Sequence, residues 1–92
     1  MVGEGDAAAQ TRQIFENLSA VLASAGASFS DVLEVVIYVV GREAAEANRQ
    51  ARAELYPTLF PNGDYPAATL LIVDGLAREE FLVEIKAVAA LP

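Results

Sequence analysis

The sequence predicts an α+β domain with the element order α-β-α-β-β, and three observations predict it. The N-terminal third repeats its apolar residues with a helical period. A central run is almost purely branched and aromatic. The C-terminal stretch alternates apolar and polar residues with period two. Ninety-two residues hold one small domain, and two helices over three strands fill that length.

The first helix is read over Asp6–Ala25. Ile14, Leu18, Val21, Leu22 and Ala25 recur at offsets of three and four, and Phe15 widens the stripe. Asp6 fits an N-cap and Gly26 a C′ terminator. Val32–Val40 is the first strand, apolar throughout except for Glu34, a pattern expected of a strand covered on both faces. Arg42–Leu55 is the second helix, rich in Ala, Glu, Arg and Gln. Its apolar stripe is thin: Ala44, Ala47, Ala51 and Leu55. Pro57, Pro61, Asn62, Gly63, Asp64 and Pro66 then mark a loop.

Ala67–Val73 is the second strand, ended by Asp74-Gly75. Phe81–Val88 is the third, with Phe81, Val83, Ile85 and Ala87 facing one way and Leu82, Glu84, Lys86 and Val88 the other. The five residues Leu76–Glu80 are expected to join these strands as a loose hairpin. The two helices are expected on one face of a small mixed sheet. That leaves a face and two edges uncovered, which argues for an oligomer.

Composition narrows the function. The apolar fraction of 54% exceeds the ~45–50% of typical globular chains, and such a surplus on a small domain suits burial against another subunit. Six basic residues face thirteen acidic ones, for a net charge of -7. The basic residues form no dense patch, so nucleic acid is not an expected partner. Cysteine and histidine are absent, which removes thiol nucleophiles, Cys/His metal sites and imidazole bases. No cofactor and no metal are expected. The opening Met1-Val2-Gly3-Glu4-Gly5-Asp6 is acidic without an apolar run, unlike a secretory signal. The longest apolar run, Val35–Val40, falls short of the ~20 residues of a membrane helix. No membrane association is expected, and the location expected is cytoplasmic.

Three stretches resemble the Rid/YjgF family of trimeric enamine/imine deaminases (RidA-like, L-PSP endoribonuclease-like). They are Gln10–Leu18 running on to Ala25-Gly26-Ala27-Ser28, then Ser30-Asp31-Val32 through Val39. The third is Val73-Asp74-Gly75-Leu76-Ala77-Arg78 leading into Val83-Glu84-Ile85-Lys86-Ala87-Val88-Ala89. The resemblance implies a chorismate-mutase-like, YjgF-like fold over residues 1–92 as a single domain, shortened at its N-terminus where the family has a β-hairpin. It implies a homo-oligomer, with a trimer favoured, and a small-molecule cleft between subunits. Glu84 falls on the family's glutamate that positions the hydrolytic water, and Asn48 on an asparagine near the cleft.

The family's Pro-Ala-Arg-Ser/Thr motif stands here as Pro66-Ala67-Ala68-Thr69. The arginine that grips the substrate carboxylate is replaced by Ala68, and with Leu70 this makes the expected substrate site more apolar. Lys86 and Ala77 replace a usual glutamate and proline. The resemblance therefore implies a protein divergent from 2-imino-acid deaminases, as a deaminase or hydrolase on a non-carboxylate substrate. The alternative is a non-enzymatic oligomeric ligand-binding or scaffold protein. Each site residue also has a plainer reading. Glu84 would be a solvated strand glutamate facing Lys86, and Asn48 a polar residue on a solvated helix face. Tyr65 reads as a packing residue, Arg78 as a surface cation, and Glu79-Glu80 as a solvated turn.

Overall fold

The computed structural model describes residues 3–92; Met1 and Val2, part of the acidic opening segment, lie outside the described residues. Helix α1 spans Ala7–Ser24, a 3-10 turn Phe29–Asp31, strand β1 Val32–Val40, helix α2 Arg42–Leu59, strand β2 Ala67–Val73 and strand β3 Val83–Ala89. Among the described residues no helix is long and apolar enough to cross a membrane.

Helix α1 begins and ends as its sequence dictates. The Asp6 carboxylate accepts the Ala9 N–H at 3.0 Å, satisfying one of the free donors of the first turn. At the other end Gly26 takes φ 74°. The Gly26 N–H donates to the Ala23 carbonyl at 3.1 Å and the Ala27 N–H to the Leu22 carbonyl at 2.8 Å, the paired bonds of a Schellman stop. Its buried side is centred elsewhere than the periodicity suggested. Ala7, Gln10, Thr11, Phe15 and Leu22 are buried, whereas Val21 is 62% exposed and Ala25 is exposed.

Gly41 turns β1 into α2 at φ 88° and ψ 162°, a region that only glycine enters without strain. Helix α2 then runs through Pro57 to Leu59 rather than stopping at Leu55. Proline lacks an N–H and normally breaks a helix interior, but here it sits in the last turn, where the exposed Ala53 carbonyl can bond to water. The aromatic packing beyond it holds the turn. Tyr56 and Phe60 lie 5.0 Å apart, Tyr56 and Phe15 5.8 Å, and Phe60 and Phe29 5.7 Å. Edge-to-face pairs add about 0.5–1.5 kcal/mol each beyond their buried area. Together these are of the same order as the cost of a proline in a helix, which is smaller in a last turn.

The sheet order is β2-β1-β3. β1 pairs parallel with β2 and antiparallel with β3, so the expected β2–β3 hairpin does not form. The segment after Val73 instead carries the chain past β1 to its other edge. Alternation reports which residues share a face but not which strands are neighbours, so this order was hidden in the sequence. The third strand also starts later than expected, at Val83 rather than Phe81. Gln10 supplies the missing support for that approach. Its amide donates to the Glu80 carbonyl at 2.9 Å and to the Gly3 carbonyl at 3.0 Å, and accepts the Leu82 N–H at 2.8 Å.

Both helices cover one face of this mixed sheet. Val35, Ile37 and Val39 point into the core at 2%, 0% and 0% exposure. Glu34, Val36, Tyr38 and Val40 alternate with them and belong to the other, open face, so within one chain β1 is covered on one face only. A bulge lies between Val32 and Glu34 in the pairing with β3. It puts Leu33 and Glu34 on the same, exposed side while Val32 and Val35 stay buried, as expected when two residues oppose one.

Candidate functional site

Strand register fixes where the candidate residues lie. Ala68 is opposite Val35 and Leu70 opposite Ile37, so both belong to the helix-covered side, at the thinly covered β2 edge. Ala68 remains exposed and Leu70 half-buried. Glu84 is opposite Tyr38, which in turn is opposite Leu71; all three belong to the open face. Ala68 and Leu70 therefore stand on one outer strand and one side of the sheet, and Glu84 on the other outer strand and the other side. One chain does not bring them together.

Glu84 borders a groove of about 490 Å³ between α1 and β3, lined also by Gln10, Gln13, Ile14, Asn17 and Phe81. Gln10 is committed to the backbone, and Gln13 donates to Asn17 at 2.9 Å. The Glu84 carboxylate is exposed.

Asn48 is fully buried between the helices, at 0% exposure, as is Thr11. The Thr11 hydroxyl donates to the Ala7 carbonyl at 2.8 Å and accepts from Asn48 Nδ2 at 3.0 Å. Asn48 Oδ1 accepts the Nε–H of Arg52 at 2.8 Å. This chain of bonds satisfies the buried amide, so its solvated-face reading does not hold, and its polar atoms are turned to partners inside the chain.

Arg52 emerges from it into a second groove, of about 540 Å³, between α2 and β2. Arg42, Glu43, Ala45, Glu46, Arg49 and Leu70 complete its lining. Arg49 is paired with Glu46 at 2.6 Å; the bond and charge of Arg49 hold that carboxyl below its usual pKa, and Glu46 raises the guanidinium in return. Both groups are exposed, so the pair adds little to stability.

Next to Arg52, Tyr56 is 7% exposed and its hydroxyl is buried without a hydrogen-bond partner among the described residues. Burial pushes its pKa up, and the neighbouring guanidinium of Arg52 opposes the rise. Tyr65, the residue before the altered Pro66-Ala67-Ala68 segment, packs edge-on against Tyr56 at 5.1 Å and Phe60 at 5.9 Å. Arg78 lies elsewhere, bonded to Glu80 through Nε at 2.7 Å. A bond from its own backbone N–H, then Arg78, keeps the Glu80 carboxyl below its usual pKa.

Gln10, Arg52 and the burial of Asn48 were not singled out from the sequence. Arg52 lies three and ten residues from Arg49 and Arg42, a helical stripe of cations that could have marked the groove.

Comparison with known proteins places these features in a family. Residues 1–91 match the family described as Endoribonuclease L-PSP. The RutC family protein PH0854 of Pyrococcus horikoshii is 33% identical over 87 residues, covering 94% of this chain and 64% of its own length. The chain thus spans just under two thirds of that relative. A crystal structure of the Rid family protein YyfB from Yersinia pestis superposes with a TM-score of 0.84 at 36% identity, covering 99% of this chain and 67% of that one. Rv2704 of Mycobacterium tuberculosis, described as a member of the YjgF/YER057c/UK114 family, gives a TM-score of 0.79 at 29% identity, covering 94% and 69%.

Proposed function

The chain belongs to the Endoribonuclease L-PSP family that includes the Rid and YjgF proteins, and on that premise we propose that it is a small-molecule protein whose ligand cleft forms between subunits of a homo-oligomer. The cleft has lost the carboxylate grip of a 2-imino-acid deaminase at position 68. The observation that carries this reading is the separation of Ala68 and Leu70 from Glu84 on opposite sides of one sheet. Residues that one chain keeps apart can meet only across a subunit boundary.

Ala68 offers a methyl group where a carboxylate needs a cation. A charge-assisted hydrogen bond is worth about 1.5–3 kcal/mol, or roughly one to two factors of ten in affinity. Substrates without a carboxylate lose nothing by the replacement, and the exposed Glu84 is the group that would direct water at them. A net charge of -7 disfavours a nucleic-acid substrate in this reading.

A second reading, a non-enzymatic ligand-binding or scaffold protein, is favoured by one feature: among the described residues no side chain hydrogen-bonds Glu84 to orient it. Semicarbazide trapping of a 2-imino acid, generated by an amino-acid oxidase, tests the central claim. The expected result is the same trapping yield with and without the protein. Faster loss of the imine in its presence would refute the assignment of Ala68.

A further inference from the structure

Half of the basic residues of this acidic chain line one groove. Arg42, Arg49 and Arg52 of α2 face Leu70 across it, with Glu43 and Glu46 at its side. The three arginines are not equivalent. Arg49 is neutralised by Glu46. Arg52 pairs with no carboxylate among the described residues, yet it is the one of the three bonded to a fully buried side chain. Its Nε–H is fixed on Asn48 Oδ1 at 2.8 Å, and Asn48 is fixed on Thr11 at 3.0 Å, both of these residues at 0% exposure. Burying an asparagine amide is costly unless its bonds are made. Here the last of those bonds holds a guanidinium. A guanidinium has five N–H donors, so the bond to Asn48 and the approach to the Tyr56 hydroxyl still leave Nη donors that meet no carboxylate among the described residues.

We propose that this groove binds a small monocarboxylate with an apolar tail. The carboxylate takes two parallel N–H bonds from the Nη groups of Arg52, the geometry for which a planar guanidinium is suited and an ammonium is not. The tail lies over Leu70 and Ala45. Three arginines against two glutamates leave the lining one charge positive, which balances a monoanion and leaves the second charge of a dianion such as phosphate uncompensated. The site borders the Ala68–Leu70 segment of the cleft proposed above and shares Leu70 with it, but requires no catalysis. It lies on the helix-covered side of the sheet, away from the Glu84 of the same chain.

The full-length protein, labelled with ¹⁵N and ¹³C, is titrated with 3-methylbutanoate, with 3-methylbutanamide and with inorganic phosphate. The acid is expected to shift the Leu70 methyl and Arg52 Nε–H resonances to saturation, whereas the amide and phosphate leave them in place. Arg52→Gln is expected to weaken the acid by about tenfold or more, with its remaining spectrum unchanged. Arg52→Lys keeps the charge without the fork and should fall between. Arg49→Gln, which removes an already paired cation, should change affinity by less than about twofold. The proposal is overturned if the amide or phosphate binds like the acid, if the acid shifts only residues elsewhere, or if Arg52→Gln and Arg52→Lys both bind it unchanged. This readout is occupancy, whereas the cleft reading is decided by imine loss, so each can fail without the other.

Discussion

Asn48 shows how one residue type can carry opposite meanings. On an Ala-rich, highly charged helix an asparagine reads as solvated, yet it is fully buried and bonded on both sides. Its partners, Thr11 and Arg52, are 37 residues away and four residues away, and periodicity reports only the near one. Asn48→Ala strands the Arg52 bond and opens a cavity, and should destabilise the fold by about 2–3 kcal/mol in urea denaturation. The double variant Thr11→Val/Asn48→Leu removes both partners together and should recover much of that loss.

Tyr56 makes the opposite case, a buried hydroxyl beside the Arg52 guanidinium but without a partner at hydrogen-bond geometry among the described residues. Its pKa is raised, so the folded state favours the neutral phenol. The stability this gives is complete below the unfolded value of about 10 and is lost as the pH rises from there through the raised folded value. Tyr56→Phe should abolish that alkaline loss in melts recorded between pH 8 and 11. At neutral pH it should be neutral or stabilising by up to about 1 kcal/mol.

At the scale of elements, the sequence signals were good for what a segment is and poor for what it touches. Both helices and the three strands were legible, because capping, period and β-branching are local. The Asp6 and Gly26 ends of α1 were legible for the same reason. The end of α2 was not: Pro57 is a local stop signal, and the Tyr56, Phe60 and Tyr65 packing that overrides it is tertiary. The β2-β1-β3 order was hidden too, since β2 and β3 meet β1 on opposite edges. Ala68, Leu70 and Glu84 could be named as candidates from the sequence, but their placement on opposite sides of the sheet could not, because it depends on register. The junction of β1 and α2 depends on a single backbone conformation. Gly41→Ala forces a side chain into φ 88°, ψ 162° and should cost about 1–3 kcal/mol, read as a lower denaturation midpoint with an unchanged slope.

At the scale of the whole molecule, the open face of the sheet has to be explained. Leu71 is 45%, Val88 39% and Leu33 60% exposed, beside the half-buried Val36 and Tyr38 of the central strand. An uncovered apolar face of this kind on a small domain marks an association surface. Sedimentation equilibrium at micromolar concentration is expected to give a multiple of the 9.7 kDa chain mass, with a trimer favoured. The melting temperature should rise with protein concentration, because an obligate oligomer gains stability by mass action. A monomer with a concentration-independent melt would remove the cleft between subunits altogether.

The central position of β1 also bears on how the chain is made. A ribosome delivers β1 long before its antiparallel partner: residues 32–40 precede residues 83–89, and α2 and β2 emerge between them. Throughout that interval a strand with one charged residue in nine has one edge without a partner, and α1 waits for the Glu80 and Leu82 backbone that Gln10 will hold. Unpaired apolar edges are where nascent chains stick to one another. The nascent chain therefore presents this adhesive edge until β3 emerges from the exit tunnel. Slow translation of residues 74–89 would prolong that state without changing a single contact of the finished fold.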